Sequence, residues 1–425
     1  MTVAGRTLPD ASGATLRAVA APILLAGLGY FVDIFDLLLF SVVRVPSLTD
    51  LGQGAHALEI GAMLLNVQLV GMMIGGVAWG MLGDRRGRLS VLFGSIFLYS
   101  AANLANAFVT SVPQYAVLRF VSGIGLAGEL GAGLTLVVEL LPAARRGAAT
   151  TIVATMGVTG AVAAALAAEA FGWRACFAVG GAMGFALFAL RLGVRESPMF
   201  DAIRRAPGER GNILRLFDDR GRFVRYLRSI LIGVPVWFTA GLLITLSPEF
   251  ARALGIVGDV SAGRAVFWFY ATTTVGDFVS GMLSQWLRSR RRAAAVFIAA
   301  TAVGIALYLG GAAHTAAGFY VVCGWLGFGT GYWAVTVTMA VEQFGTDLRA
   351  TVGTSVPTFI RATAVPMSVV FLALKGSMGV IAAASVVGAV AVAAAAWALA
   401  TQPETYGKAL DYTELGPTPS SVAER

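Results

Sequence analysis

Two aspartates, Asp33 and Asp36, interrupt the first long apolar run of this sequence. Three residues apart, they share one face of a helix. Carboxylates are costly in hydrocarbon and must face a cavity or the interior of a helix bundle. Neighbouring carboxylates resist joint ionisation, so one of the two holds a proton near neutral pH. That is the chemistry of a proton carrier. The competing role is a carboxylate that pairs with an arginine to hold helices together. Arg119 in the fourth apolar run supplies such an arginine. At about 1.5 Å per residue, its depth differs from that of Asp36 by only about 5 Å, close enough for an ion pair. Glu129 lies roughly 15 Å further along the same helix. It is either a second protonation candidate or a neutral acid in helix packing. Asp277 and Arg361 sit mid-way along the eighth and eleventh runs. Either they neutralise each other, or Arg361 grips a substrate carboxylate with its planar fork. Mutual pairing is the favoured reading, because an unpaired buried arginine is expensive.

These groups need a scaffold in lipid. The 425 residues are 57% hydrophobic and 13% charged, far too apolar for a soluble chain of this length. Apolar runs of about 20 residues recur throughout, the length that crosses a bilayer core as helix. They predict an all-α membrane protein with spans near 17–45, 58–82, 89–109, 114–141, 148–170, 173–192, 226–246, 265–287, 293–310, 318–341, 352–374 and 378–400. Many glycines fit close helix packing. The net charge of +8 does not indicate nucleic acid, because the basic residues cluster in short loops. Cys176 and Cys323 lie inside apolar runs and offer neither metal spacing nor a disulfide framework. No nucleophile–histidine arrangement or metal-ligand cluster supports an enzyme, and no cofactor is expected. His56 and His314 fall in outer loops, poor positions for a proton relay. The N-terminus carries no cleavable signal peptide pattern.

One long polar break, 193–225, divides the chain into a six-span half (1–192), a second six-span half (226–400) and a polar tail (401–425). Ile213, Leu214, Leu216 and Phe217 give the break the makings of a short amphipathic surface helix. With the N-terminus placed in the cytoplasm, 24 of 31 Lys and Arg fall in cytoplasmic segments; Arg44, Arg174, Arg252, Arg264 and Lys375 fall outside. This asymmetry puts both termini inside. The halves echo each other. Gly80 and Gly281 open similar turns 201 residues apart; Glu139 and Arg146 recur as Glu342 and Arg349, each 203 residues later.

The first of those turns, Gly80-Met-Leu-Gly-Asp84-Arg85-Arg86-Gly87-Arg88, resembles the loop signature of the major facilitator superfamily. Arg119-x-x-x-Gly123-x-Gly125-x-x-Gly128-Glu129, with Glu139, Pro142 and Arg146-Gly147, is similar to the fourth-span region of metabolite:proton and sialate/lactate-type symporters. Gly172-Trp173-Arg174 before the sixth span is typical of the same group. Asp33-Ile-Phe-Asp36 resembles their first span, and Arg195-Glu196-Ser197-Pro198 and Pro403-Glu404-Thr405 resemble half-ending porter motifs. Gln285 and Gly345 depart from the pattern, standing where the second half usually has Asp and Pro. The resemblance implies two parallel six-helix halves. It also implies that Asp84 contacts the start of the eleventh span as a latch holding the cytoplasmic side shut. The helix N-terminus there, with unpaired N–H groups, suits that contact. Trp237, Tyr332 and Trp333 fall on spans that line the cavity of this fold, so they join Arg119, Arg361 and Asp277 as substrate-binding candidates. Glu139, Arg146, Glu342 and Arg349 read as cytoplasmic charge networks.

The expected function is secondary active transport: proton-coupled symport of a small organic acid by alternating access, in a monomer in the cytoplasmic (inner) membrane. The embedded acids serve a drug or metabolite efflux antiporter of the same fold equally well. A non-transporting sensor on the same scaffold would need a bulky cytoplasmic addition, which the short tail does not provide.

Overall fold

A computed structural model describes residues 16–86, 88–140, 143–192 and 213–407. Every regular element among them is helical. The first half gives α1 (Leu16–Asp50), α2 (Ala57–Arg86), α3 (Arg88–Asn106), α4 (Val112–Leu140), α5 (Ala143–Ala170) and α6 (Trp173–Arg191). After a single 3₁₀ turn, Ile213–Leu216, come α7 (Arg220–Phe238), the short α8 (Ser247–Ala253), α9 (Ala262–Trp286), α10 (Arg290–Leu309), α11 (Ala316–Thr330), α12 (Trp333–Glu342), α13 (Thr346–Ala362) and α14 (Ala364–Thr401). The twelve expected spans all fall on these elements. Side chains cap several starts: Asp219, Ser261, Ser289 and Thr315 accept from the backbone N–H three residues on.

Large apolar side chains such as Val321, Phe278 and Val390 stand exposed on the outside. In water such a surface would be a liability; in a bilayer it is the lipid face. Among the described residues, six helical stretches have the length and hydropathy of membrane spans. Polar groups are kept inward instead. Close approach of α2 and α4 depends on missing side chains: a Cβ on Gly71 or Gly75 would strike the α4 backbone, and one on Gly123 would strike Gln68 of α2.

Four expected boundaries change, each with a consequence for the site. Helix α1 runs on to Asp50, so Arg44 lies inside a helix and not in an outer loop. The seventh span begins earlier, at Arg220. After Pro235 it widens into a π-helical stretch, Thr239–Ile244, where the Thr239 hydroxyl donates to Pro235 and Val236 carbonyls. The tenth span is broken between Thr330 and Trp333, because Gly331 sits directly against the backbone of Gly276 on α9. The eleventh breaks at Thr363, and the join of eleventh to twelfth is a kink at Gly379, whose φ of 82° suits only glycine.

Helices α1–α6 pack chiefly on one another, as do α7–α14, with α2 against α13 and α5 against α9 as the main seams between them.

Candidate functional site

Helix α1 sets Tyr30, Asp33 and Asp36 at successive three-residue steps, one above another on a buried face. Asp36 reaches α6 where Gly180 leaves room; a Cβ there would collide with the Asp36 carboxylate. Its polar surroundings are Arg119, Asp33 and the Asn103 amide. Arg119 is fully buried on α4, and its Nη2 donates to Asn103 Oδ1 at 2.5 Å. Its guanidinium lies over the Phe177 ring, 4.7 Å from the centroid. The expected direct Asp36–Arg119 ion pair is not formed. Asn103 of α3 takes the Arg119 hydrogen bond instead, while both Asp36 oxygens and Asn103 Nδ2 lack a hydrogen-bond partner. Arg119 Nε and Nη1 have no hydrogen-bond partner. The group therefore holds a buried cation and two buried acids in an arrangement that a proton or a ligand can rebalance.

A second group gathers at the seam between α1 and the later helices. Tyr30, one turn from Asp33, has Arg361, Asp33 and Asp277 as its charged neighbours. Arg361 occupies the last turn of α13, at the break of the eleventh span. It faces the Trp237 ring at 6.0 Å and has Tyr270 of α9 nearby. It is 4% exposed, its Nε has no partner, and it makes no ion pair with a described residue. The expected Asp277–Arg361 pairing is absent. Asp277 Oδ1 instead accepts from Ala334 N at 3.3 Å, and Trp333 N lies alongside. The physical reason is the broken tenth span. Helix α12 begins there with unpaired N–H groups, and the Gly276–Gly331 contact brings Asp277 to them. Tyr332, an expected substrate contact, is wholly buried and donates its hydroxyl to the Ile232 carbonyl at 3.1 Å, tying α12 to α7. Trp333 is half-buried.

A third constellation was not foreseen. Arg44 of α1 and Glu249 of α8 form an ion pair at 2.7 Å, with side chains 0% and 8% exposed. Arg44 also donates to the Ala57 and Thr245 carbonyls, at 2.7 and 3.2 Å. Around it, at the end of the bundle that holds the 54–56 turn, Thr245 donates to Ser41, Ser368 to Asn66, and Lys375 and Arg264 pair with Glu59 and Glu169. Apart from Arg44–Ala57, each of these links joins α1–α6 to α7–α14, so that end is closed. At the opposite end Glu342 meets Arg290 at 3.4 Å and accepts from Thr405 at 2.7 Å. The side chains of Gly80, Asp84, Arg85, Gly87, Arg88, Glu129, Glu139, Arg146 and Arg349 lie outside the described residues, as do residues 193–212 and 408–425.

Tyr30 was legible by the three-residue step that links Asp33 to Asp36. Asn103 and Glu249 had no such signal, since neither belongs to a motif.

A sequence model described as Major Facilitator Superfamily matches residues 26–360. The niacin transporter NiaP of Acinetobacter baylyi is 26% identical over 364 residues, covering 76% of this chain and 80% of that protein. A gentisate transporter of Corynebacterium glutamicum is 27% identical over 372 residues, covering 82% and 78%. A crystal structure of a D-xylose–proton symporter superposes with a TM-score of 0.71 at 19% identity, covering 92% of this chain and 100% of that one. That likeness is one of fold.

Proposed function

The chain belongs to the major facilitator superfamily, and on that premise we propose that it is a proton-coupled symporter of a small organic acid. Transport runs by alternating access between residues 1–192 and 226–400. The observation that carries this reading is Arg361: a buried guanidinium at a helix break, beside Tyr30 and Trp237, with no carboxylate partner among the described residues. A substrate carboxylate would complete it, with two parallel N–H···O bonds from the guanidinium and an aromatic wall beside it. Niacin and gentisate, named for two relatives, are both carboxylates. Asp33 links this site to the Asp36–Asn103–Arg119 group, so loading a proton on either acid changes the field felt at Tyr30 and Arg361.

In the same scheme the 84–88 loop and both termini face the cytoplasm, as the basic-residue asymmetry argues. The Arg44–Glu249 end is then the outer gate, and Asp84 serves the inner one. The test is uptake into proteoliposomes of a panel of small carboxylates, first ranked by thermal shift on the purified protein. Accumulation should need an inward proton gradient. Arg361→Lys keeps the charge but loses the fork, and should weaken substrate binding by about 2 kcal/mol, roughly thirtyfold. Gradient-driven uptake at unchanged affinity in that variant would overturn the site assignment. Gradient-driven extrusion without uptake would overturn symport.

A further inference from the structure

We propose that the cleft between α10 and α14, at the arginine turn before α10, binds an anionic phospholipid. The cleft measures about 830 Å³ and lies away from the central charges. Its mouth is basic: Arg288, Arg291 and Arg292 line it. Arg291 is half-committed, donating from Nη2 to the Ala400 carbonyl at 2.9 Å. Arg288 and Arg292 are exposed and form no ion pair with a described residue. The one acid in the lining, Glu404, forms no ion pair with them. Its two oxygens accept from the Ser289 hydroxyl and from the backbone N–H groups of Arg290, Arg291, Thr405 and Tyr406. It caps the start of α10, and three arginines against this one carboxylate leave the mouth with an excess of positive charge.

The depth of the cleft is apolar. Ala295, Ala299 and Ala396 form a shallow trough between the two helices, where larger side chains would have filled the space. From Arg290 to Ala302 the α10 backbone rises about 18 Å, against about 15 Å for the hydrocarbon of one leaflet. A phosphate at the arginine turn therefore places an acyl chain along the trough for the depth of its own leaflet. A soluble anion would use only the mouth. A neutral lipid would use only the trough. Arg288 adds a second sign. It holds a left-handed backbone, φ 48°, in a turn closed by Arg288 N to Gln285 O and Ser289 N to Ser284 O. Glycine fits such a position without strain, so a long cation sits there at a conformational disadvantage.

The experiment is native mass spectrometry of the full chain in detergent, titrated with phosphatidylglycerol, phosphatidylcholine or inorganic phosphate. One variant is Arg288→Gln/Arg292→Gln; the other is Ala299→Phe, which fills the exposed trough and leaves the arginines. Each arginine near a membrane surface contributes about fivefold to binding an anionic lipid, so the double variant should bind phosphatidylglycerol roughly thirtyfold more weakly. Ala299→Phe should weaken it as well, phosphatidylcholine should bind poorly, and excess inorganic phosphate should not displace the lipid. Equal binding of the two lipids, unchanged phosphatidylglycerol binding in both variants, or displacement by inorganic phosphate would each overturn the proposal.

Discussion

Glu249→Gln tests the closed end of the bundle most directly. The Arg44–Glu249 pair exists only while α1 and α8 touch. In that state Arg44 is wholly buried, so removing the carboxylate charge strands a cation away from water. Breaking one partner of a buried pair costs about 3–5 kcal/mol. Arg44 keeps two carbonyl acceptors, Ala57 and Thr245, and a glutamine amide oxygen can still accept one hydrogen bond. The low end, about 3 kcal/mol, is therefore the right scale. When the halves part at this end both groups are hydrated, and the substitution changes little. The whole penalty falls on the closed state, shifting the closed-to-open ratio by roughly a hundredfold. Spin labels at Ala55 and Asp259, exposed on opposite sides of the seam, report the separation. The native Cys176 and Cys323 are buried and leave a low labelling background. Wild type should give one short distance, and Glu249→Gln a dominant long one. Arg44→Gln/Glu249→Gln removes both charges and should recover much of the closed population, since a neutral pair strands nothing. An unchanged distance distribution in Glu249→Gln, or a double variant more open than the single, would refute the reasoning.

Three further outcomes follow from the geometry. Asp277→Ala removes the acceptor at the start of α12 and should lower stability by about 1 kcal/mol, read as a fall in Tm; Asp277→Asn, which can still accept, should stay close to wild type. Asp33→Asn and Asp36→Asn mimic the protonated acids. At least one should abolish accumulation driven by a pH gradient and leave substrate counterflow, and gradient-driven accumulation in both would place coupling elsewhere, with Glu129 next. Burial raises the affinity of Glu404 for its proton, but hydrogen bonds from Ser289 and the backbone outweigh this and hold its pKa below the ordinary 4.5. Its stabilising contribution is thus complete above the unfolded value and is lost as pH falls through the folded one. The Tm gap between wild type and Glu404→Gln should be widest near neutral pH and shrink below about 4.5.

Much of the architecture is written locally in this chain. Apolar runs of bilayer length, polar turns between them and the arginine asymmetry depend only on residue type along the sequence, because lipid forces every backbone group into helices. The Asp33–Asp36 face was legible for the same reason: three residues on a helix always share a side. The partnerships were not. Depth along a helix placed Arg119 level with Asp36, but only the packing of α3 against α4 gives Arg119 the Asn103 oxygen as its acceptor instead. Asp277 and Arg361 matched in depth and opposed in charge. Yet a glycine contact between Gly276 and Gly331 breaks the tenth span and offers Asp277 a backbone partner, which leaves Arg361 without a carboxylate partner among the described residues. Arg44 counted as a loop residue until α1 extended past it to meet Glu249, 205 residues away. Sequence decides what enters the membrane, since transfer from water is a property of each segment alone. Which charges meet inside it is a property of helix pairs, and only the tertiary structure decides that.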